Sequence, residues 1–449
     1  MKNSVHAFVL FCLISGTFAA SKTTNILEYN SLRLAYYLHG EELAVGLADG
    51  YLERAASAHY NYLIAEFHLD SDESNPGIAA KKEEFRKVFL LAHEHGMRMI
   101  PKIQLGSKWS LHWIAANNPN IQINRYHDGS RSWGCPSFAY DPDGIDASFE
   151  ELLMVIREAF MEANLPYDLE FIDLGHDEPV DDGYLLIGGV PDSVAGPDDS
   201  FAQIDRDFIL DRVQNHGDDV STAFQTLVVD ELFRRVGQVQ RILGSNTRIL
   251  VYGDLWDPEA NGGIEKRTFL TKQEEICYDH AARKVDCDSD EMDRKAIEMV
   301  IQHSKMTPGI GSLPGLTEDQ KTTFRKGVVL RPWCYYDAWP FGGDPDGDGK
   351  YDAEAAFSYL ARHGLKFVFT SVHNEKPSDT AYTEGELRAM TKYVKASRLF
   401  QDSCYGYAAA PWEARWQDPP GTLEIFDTLE ELYELNRGHI PKSSFREQN

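Results

Sequence analysis

Eight short apolar runs alternate with amphipathic stretches along this chain, and that alternation constrains the fold more than any other feature. The runs are Leu32–Leu38, Tyr62–Phe67, Met97–Ile103, Leu169–Leu174, Arg248–Tyr252, Val328–Trp333, Lys366–Thr370 and Tyr405–Ala409. Between them lie helical patterns at Lys81–His95, Phe149–Ala163, Ala223–Leu243, Ala353–His363 and Glu384–Ala396. Capping boxes mark helix starts at Ser148 with Glu151, Thr317 with Gln320, Thr383 with Glu386 and Thr428 with Glu431, while Gly96 and Gly364 sit where two helices should stop. Strands that alternate with helices pair in parallel, and eight such units predict an α/β chain folded as a (β/α)8 TIM barrel. An open doubly wound sheet is the alternative, but no Gly-x-Gly-x-x-Gly follows the first strand to support it. A barrel needs roughly 250 residues, so the surplus of this 449-residue chain falls in long loops on the C-terminal face, chiefly Gly183–Thr222 and Pro258–Phe324.

The ends of the chain read differently. Lys2, the apolar run Ala7–Ile14 and the small residues up to Ala20 predict a signal peptide over 1–20, and hence a secreted or periplasmic protein. That run is far short of a membrane span, and no later segment resembles one. Residues 25–420 are then expected to form the barrel, and 421–449 a C-terminal helix and tail. With Cys12 removed, five cysteines remain, an odd number with no Cys-x-x-Cys spacing, which argues against structural zinc. A net charge of −27 disfavours nucleic acid and anionic membranes as partners.

In a barrel the residues just past each strand line the active site. The fourth strand ends Asp173-Leu174-Gly175-His176-Asp177-Glu178. Two carboxylates held close repel when ionised, so one is driven towards its protonated form and can serve as an acid beside an anionic stabiliser. A solvated acidic loop is the plainer reading of such a pair. All eight tryptophans, however, lie at or beyond the C-terminal ends of predicted strands. Their flat indole faces stack on the apolar faces of sugar rings, although some will simply seal loops onto the rim. A carbohydrate ligand is the expectation.

Gly175-His176-Asp177-Glu178 at this position resembles the His-x-Gly-Gly-Asp-Glu signature of family 20 glycoside hydrolases, the β-N-acetylhexosaminidases. His95-Gly96-Met97 leading to Ile100-Pro101-Lys102-Ile103 is similar to that family's third strand, Asn61 matches an Asn opening its second, and Gly406 to Glu413 resembles the segment closing its barrel. The similarity runs over roughly residues 30 to 415. It implies a retaining, substrate-assisted hydrolysis of 2-acetamido sugars without a cofactor, with Glu178 as acid and base and Asp177 orienting the acetamido group. Candidate sugar-binding residues are Glu66, Trp256, Trp333, Trp412 and Glu413, with His176 either replacing a sugar contact, bonding Asp177 or simply packed. The chain departs from the pattern at particular places. The motif His is Asp173, its second Gly is His176, the second-strand His is Glu66, the third-strand Pro-Glu is Pro101-Lys102, and the sugar-gripping Arg has no clear match.

Two other readings stay open. Asp254, Asp337 or Glu413 can act as a nucleophile opposite Glu178 on sugars lacking an N-acetyl group, or the barrel can bind carbohydrate without turnover. Separately, Asp344, Asp346, Asp348 and Asp352 occupy positions 1, 3, 5 and 9 of a Ca²⁺-type loop with Gly349 at 6, while Ala355 stands at 12 where Glu is expected. The loop is either a structural Ca²⁺ site or an acidic turn.

Overall fold

The computed structural model describes residues 33–36, 52–53, 56, 61–67, 69, 77–105, 118, 120–127, 132–176, 202–218, 220–252, 278–279, 284–285, 316–331, 333–334, 364–372 and 403–410. Each of the eight apolar runs contributes a strand: β1 Arg33–Tyr36, β2 Tyr62–Glu66, β3 Arg98–Leu105, β4 Phe171–Gly175, β5 Arg248–Tyr252, β6 Val328–Arg331, β7 Phe367–Val372 and β8 Cys404–Ala410. All pair in parallel with their neighbours in chain order. The ring closes where Arg33 of β1 meets Ala408 of β8, and β6 reaches β7 at Leu330↔Phe367. Beyond β6, Trp333–Cys334 continues alongside Thr370 and Ser371. A closed ring of parallel strands leaves no free edge, and it directs the C-terminal ends of all eight strands to one face.

Helices cover the connections that are described. These are α1 Lys82–Glu94 after β2, α2 Ile145–Ala163 after β3, α3 Gln203–Asp211 and α4 Val220–Ile242 after β4, and α5 Glu318–Gly327 before β6. Apolar spacing decides which face of α1 turns inward: Phe85, Val88, Phe89 and Ala92 are buried at intervals of three and four. Phe85 stacks on Phe67 just past β2, with centroids 4.0 Å apart, and Phe89 meets Phe160 of α2 edge-on at 5.2 Å. Gly96 ends α1 at φ 73, with its N–H donating to the His93 carbonyl and that of Met97 to Ala92. The capping box expected at Thr317 is formed.

The start of α2 corrects the sequence reading. The helix opens at Ile145 after Gly144, not at a Ser148 cap, and Ser148 lies buried in its first turn. Asp146 explains the earlier start. One carboxylate oxygen accepts the Asp141 N–H at 2.9 Å while the other binds Arg234 and Arg235 of α4, so the chain is drawn into helix a turn sooner. Next to it, Asp205 of α3 accepts the N–H groups of Phe138 and Ala139, and Arg234 donates to the Phe138 carbonyl. The stretch between β3 and α2 is thus clasped by the connection that follows β4.

The expected signal peptide and C-terminal helix, the helical patterns after β6 and β7, and the caps at Thr383 and Thr428 lie outside the described residues. Among the described residues no helix is long and apolar enough to cross a membrane.

Two glycines should respond differently to alanine. A Cβ at Gly96 meets nothing within 4 Å, so Gly96→Ala is expected to cost only the left-handed backbone, about 1 kcal/mol. A Cβ at Gly327 would lie 2.6 Å from Val236 Cγ1 in α4, so Gly327→Ala is expected to cost about 1–3 kcal/mol through overpacking. Urea unfolding at neutral pH measures both.

Candidate active site

Four charged side chains, from β2, β3, β4 and β6, meet inside the ring. Asp173 of β4 is ion-paired with Arg331 of β6, and both are fully buried. Arg331 also donates to the Tyr252 hydroxyl at 3.2 Å and lies 4.6 Å over that ring. Lys102 Nζ stands 5.4 Å from the same ring's centroid and 3.1 Å from Glu66 Oε2. Gln104 donates to the same Glu66 oxygen at 3.5 Å. Lys102 and Tyr252 reach each other past β4, and Asp173 and Arg331 past β5, which is feasible only on the concave side of the sheet. Among the described residues, two anions and two cations oppose one another at this floor. In a medium of low polarity each charge requires its partner.

Above the floor, β4 ends abruptly. β3 and β4 fall out of register between Lys102↔Asp173 and Leu105↔Gly175, as at a bulge. Asp173 Oδ1 accepts the Gly175 N–H at 2.9 Å, turning the backbone over its own side chain. Gly175 and His176 then take φ 74 and φ 62, two successive left-handed residues. Histidine is strained there, whereas glycine would not be. This turn directly precedes Asp177 and Glu178, so the break in the strand expected from the sequence is present.

The His176 ring is wholly buried, with Nε2 3.6 Å from Glu231 Oε2 of α4. It therefore presents no surface to a sugar, which agrees with the packed alternative rather than the sugar contact. The cause is its left-handed backbone, which leaves the ring packed against α4. Burial pushes the imidazole below its usual range; Arg235 adds to this and Glu231 opposes it. Glu66 does sit at the end of β2, as expected, but nearly buried and neutralised by Lys102. Trp333 lies in the strand continuation after β6. Asp177, Glu178, Trp256, Trp412, Glu413 and the loop of Asp344, Asp346, Asp348 and Asp352 lie outside the described residues.

Sequence reasoning overlooked Arg331 and Tyr252 and read Lys102 only as a departure from a motif. A signal was present: Lys102 and Arg331 are cations near the C-terminal ends of apolar strand runs, and a cation facing into a barrel must find a partner.

No protein-family model matches the chain, and no curated protein matches it by sequence. Solved structures of similar arrangement do exist. The catalytic domain of a β-amylase from Paenibacillus polymyxa overlaps 92% of this chain and 100% of its own at 9% identity, with a TM-score of 0.48. The β-N-acetylhexosaminidase from Bacteroides fragilis overlaps 91% of this chain and 69% of its own at 11% identity and TM-score 0.43. A pneumococcal exo-β-D-N-acetylglucosaminidase module overlaps 94% and 91% at 10% identity and TM-score 0.43. At identities this low, residue roles rest on this chain's own geometry.

Replacing one member of the buried pair, as Asp173→Asn or Arg331→Met, is expected to destabilise by about 3–5 kcal/mol, with much of it regained in Asp173→Leu combined with Arg331→Met. Urea titrations of the two single variants and the double variant read this out. His176 gives a pH prediction. Its folded pKa lies below the ordinary 6.5, so its contribution is complete above that value. Stability falls as pH drops below it, because the unfolded chain then binds the proton more readily. His176→Asn, which tolerates a left-handed backbone, should flatten that part of the stability profile between neutral pH and pH 5.

Proposed function

We propose that the chain is a glycoside hydrolase that cleaves 2-acetamido sugars with retention, using the substrate's own acetamido group. The observation that carries this reading is the double left-handed turn at Gly175-His176, which ends β4 on the ring's C-terminal face directly before Asp177-Glu178. Adjacent carboxylates on a regular strand would diverge to opposite faces, and a turn at this point frees both for one pocket. The tryptophans beyond the strand ends and the ordered resemblance to family 20 point the same way.

In this reading Glu178 protonates the departing glycosidic oxygen while the substrate's carbonyl oxygen attacks the anomeric carbon. Asp177 holds the acetamido nitrogen and offsets the positive charge of the oxazolinium. Water then attacks the same carbon, giving its proton back to Glu178. Trp256, Trp333 and Trp412 wall the sugar, Glu413 contacts it, and the surrounding scaffold is a complete (β/α)8 barrel with long loops on the catalytic face. No cofactor enters the chemistry. We place the protein outside the cytoplasm after removal of 1–20, with Ca²⁺ held by Asp344, Asp346, Asp348 and Asp352 in a structural role.

The test is hydrolysis of aryl β-glycosides of GlcNAc, GalNAc, glucose and galactose by the wild type and by Glu178→Gln. Release confined to the N-acetyl sugars, reduced at least about a hundredfold in the variant, is the expected result. Release from glucose or galactose instead would favour a second protein carboxylate as nucleophile, and no release by folded wild type would overturn the hydrolase reading.

A further inference from the structure

His176 carries two costs that glycine at the same position would avoid. Its backbone is left-handed, and its fully buried ring has no hydrogen-bond partner on either Nδ1 or Nε2. Strain and a buried polar group together, at the end of a strand leading to a carboxylate pair, mark a side chain retained for what it does there. What it faces is specific. Glu231 Oε2, 3.6 Å from Nε2, is also without a hydrogen-bond partner, while Glu231 Oε1 accepts Arg235 Nε at 2.7 Å. Arg235 Nη1 donates in turn to Asp146 Oδ1 and Gln238 Oε1, and Arg234 binds the same Asp146 oxygen. Asp146 thus pairs with Arg234 and Arg235, and Glu231 with Arg235. A neutral ring has one N–H to give, and closing the gap by about half an ångström brings Nε2 within hydrogen-bond range of the carboxylate.

We propose that His176 is a positioning residue whose Nε2–H bonds Glu231, and that this bond fixes the left-handed turn from which Asp177 and Glu178 project. The ring acts through the backbone and touches no substrate. The chain Asp146–Arg235–Glu231–His176 thereby ties the outer helices α2 and α4 to the strand end. What is positioned rests on the hydrolase reading, but the pair itself does not.

Two measurements on the full chain test this. With ¹⁵N-labelled histidine, NMR of the wild type at pH 7 should show the His176 ring neutral and protonated on Nε2. A ring protonated on Nδ1, or one that is charged, would overturn the proposal whether or not any glycoside is cleaved. On whichever aryl glycoside the wild type cleaves, His176→Gly, shown folded by a cooperative thermal transition, should lower kcat at least tenfold with KM within about twofold. His176→Asn, which keeps the backbone but falls short of Glu231, should lose kcat in the same way. Wild-type kcat in a folded His176→Gly would show that the ring positions nothing. If the wild type cleaves no glycoside, the hydrolase reading fails alone, and the ring's tautomer still decides the pair.

Discussion

A charge inside a closed barrel has no solvent to retreat to, and the Asp173–Arg331 pair shows how much structure follows from that. Arg331 can reach Asp173 only if β4, β5 and β6 lie side by side in register on a concave surface, with Tyr252 filling the space under the guanidinium. The pair therefore discriminates between the native strand order and any other, because a misplaced strand would leave two ions uncompensated. Asp173 also accepts the Gly175 N–H, so the same carboxylate that fixes the ring bends the strand that carries the candidate catalytic residues. Fold and site share one oxygen-rich hinge.

The departures from the resembled motif become coherent in this light. Lys102 stands where that pattern has a carboxylate, and Glu66 and Asp173 stand where it has histidines. In space Lys102 faces Glu66, and Asp173 faces Arg331. These positions form one arrangement of charge around Tyr252, with the turn of β4 above it.

All eight strands were legible from the sequence because their signal is local: short apolar runs bounded by turns, with helical periodicity between. α1 and α4 were found for the same reason, within a few residues. The beginning of α2 was misjudged because Asp146 takes its helical role from Arg235, 89 positions away, which no local pattern reports. Arg331 and Asp173 are 158 positions apart, and their partnership exists only once the ring has closed. The side on which His176 lies was hidden too. Its neighbours in sequence pointed to the pocket, and the left-handed backbone turned it towards α4.

The clasp around Phe138 and Ala139 bears on how such a barrel can be altered. Loops on a barrel's functional face are commonly treated as separate cassettes, exchangeable one at a time. Here the segment after β3 hangs from Asp205, in the insertion that follows β4, and from Arg234 of α4. A graft that replaced the second insertion would strand two backbone donors belonging to the first. These two loops would have to be inherited, or transplanted, as a single piece.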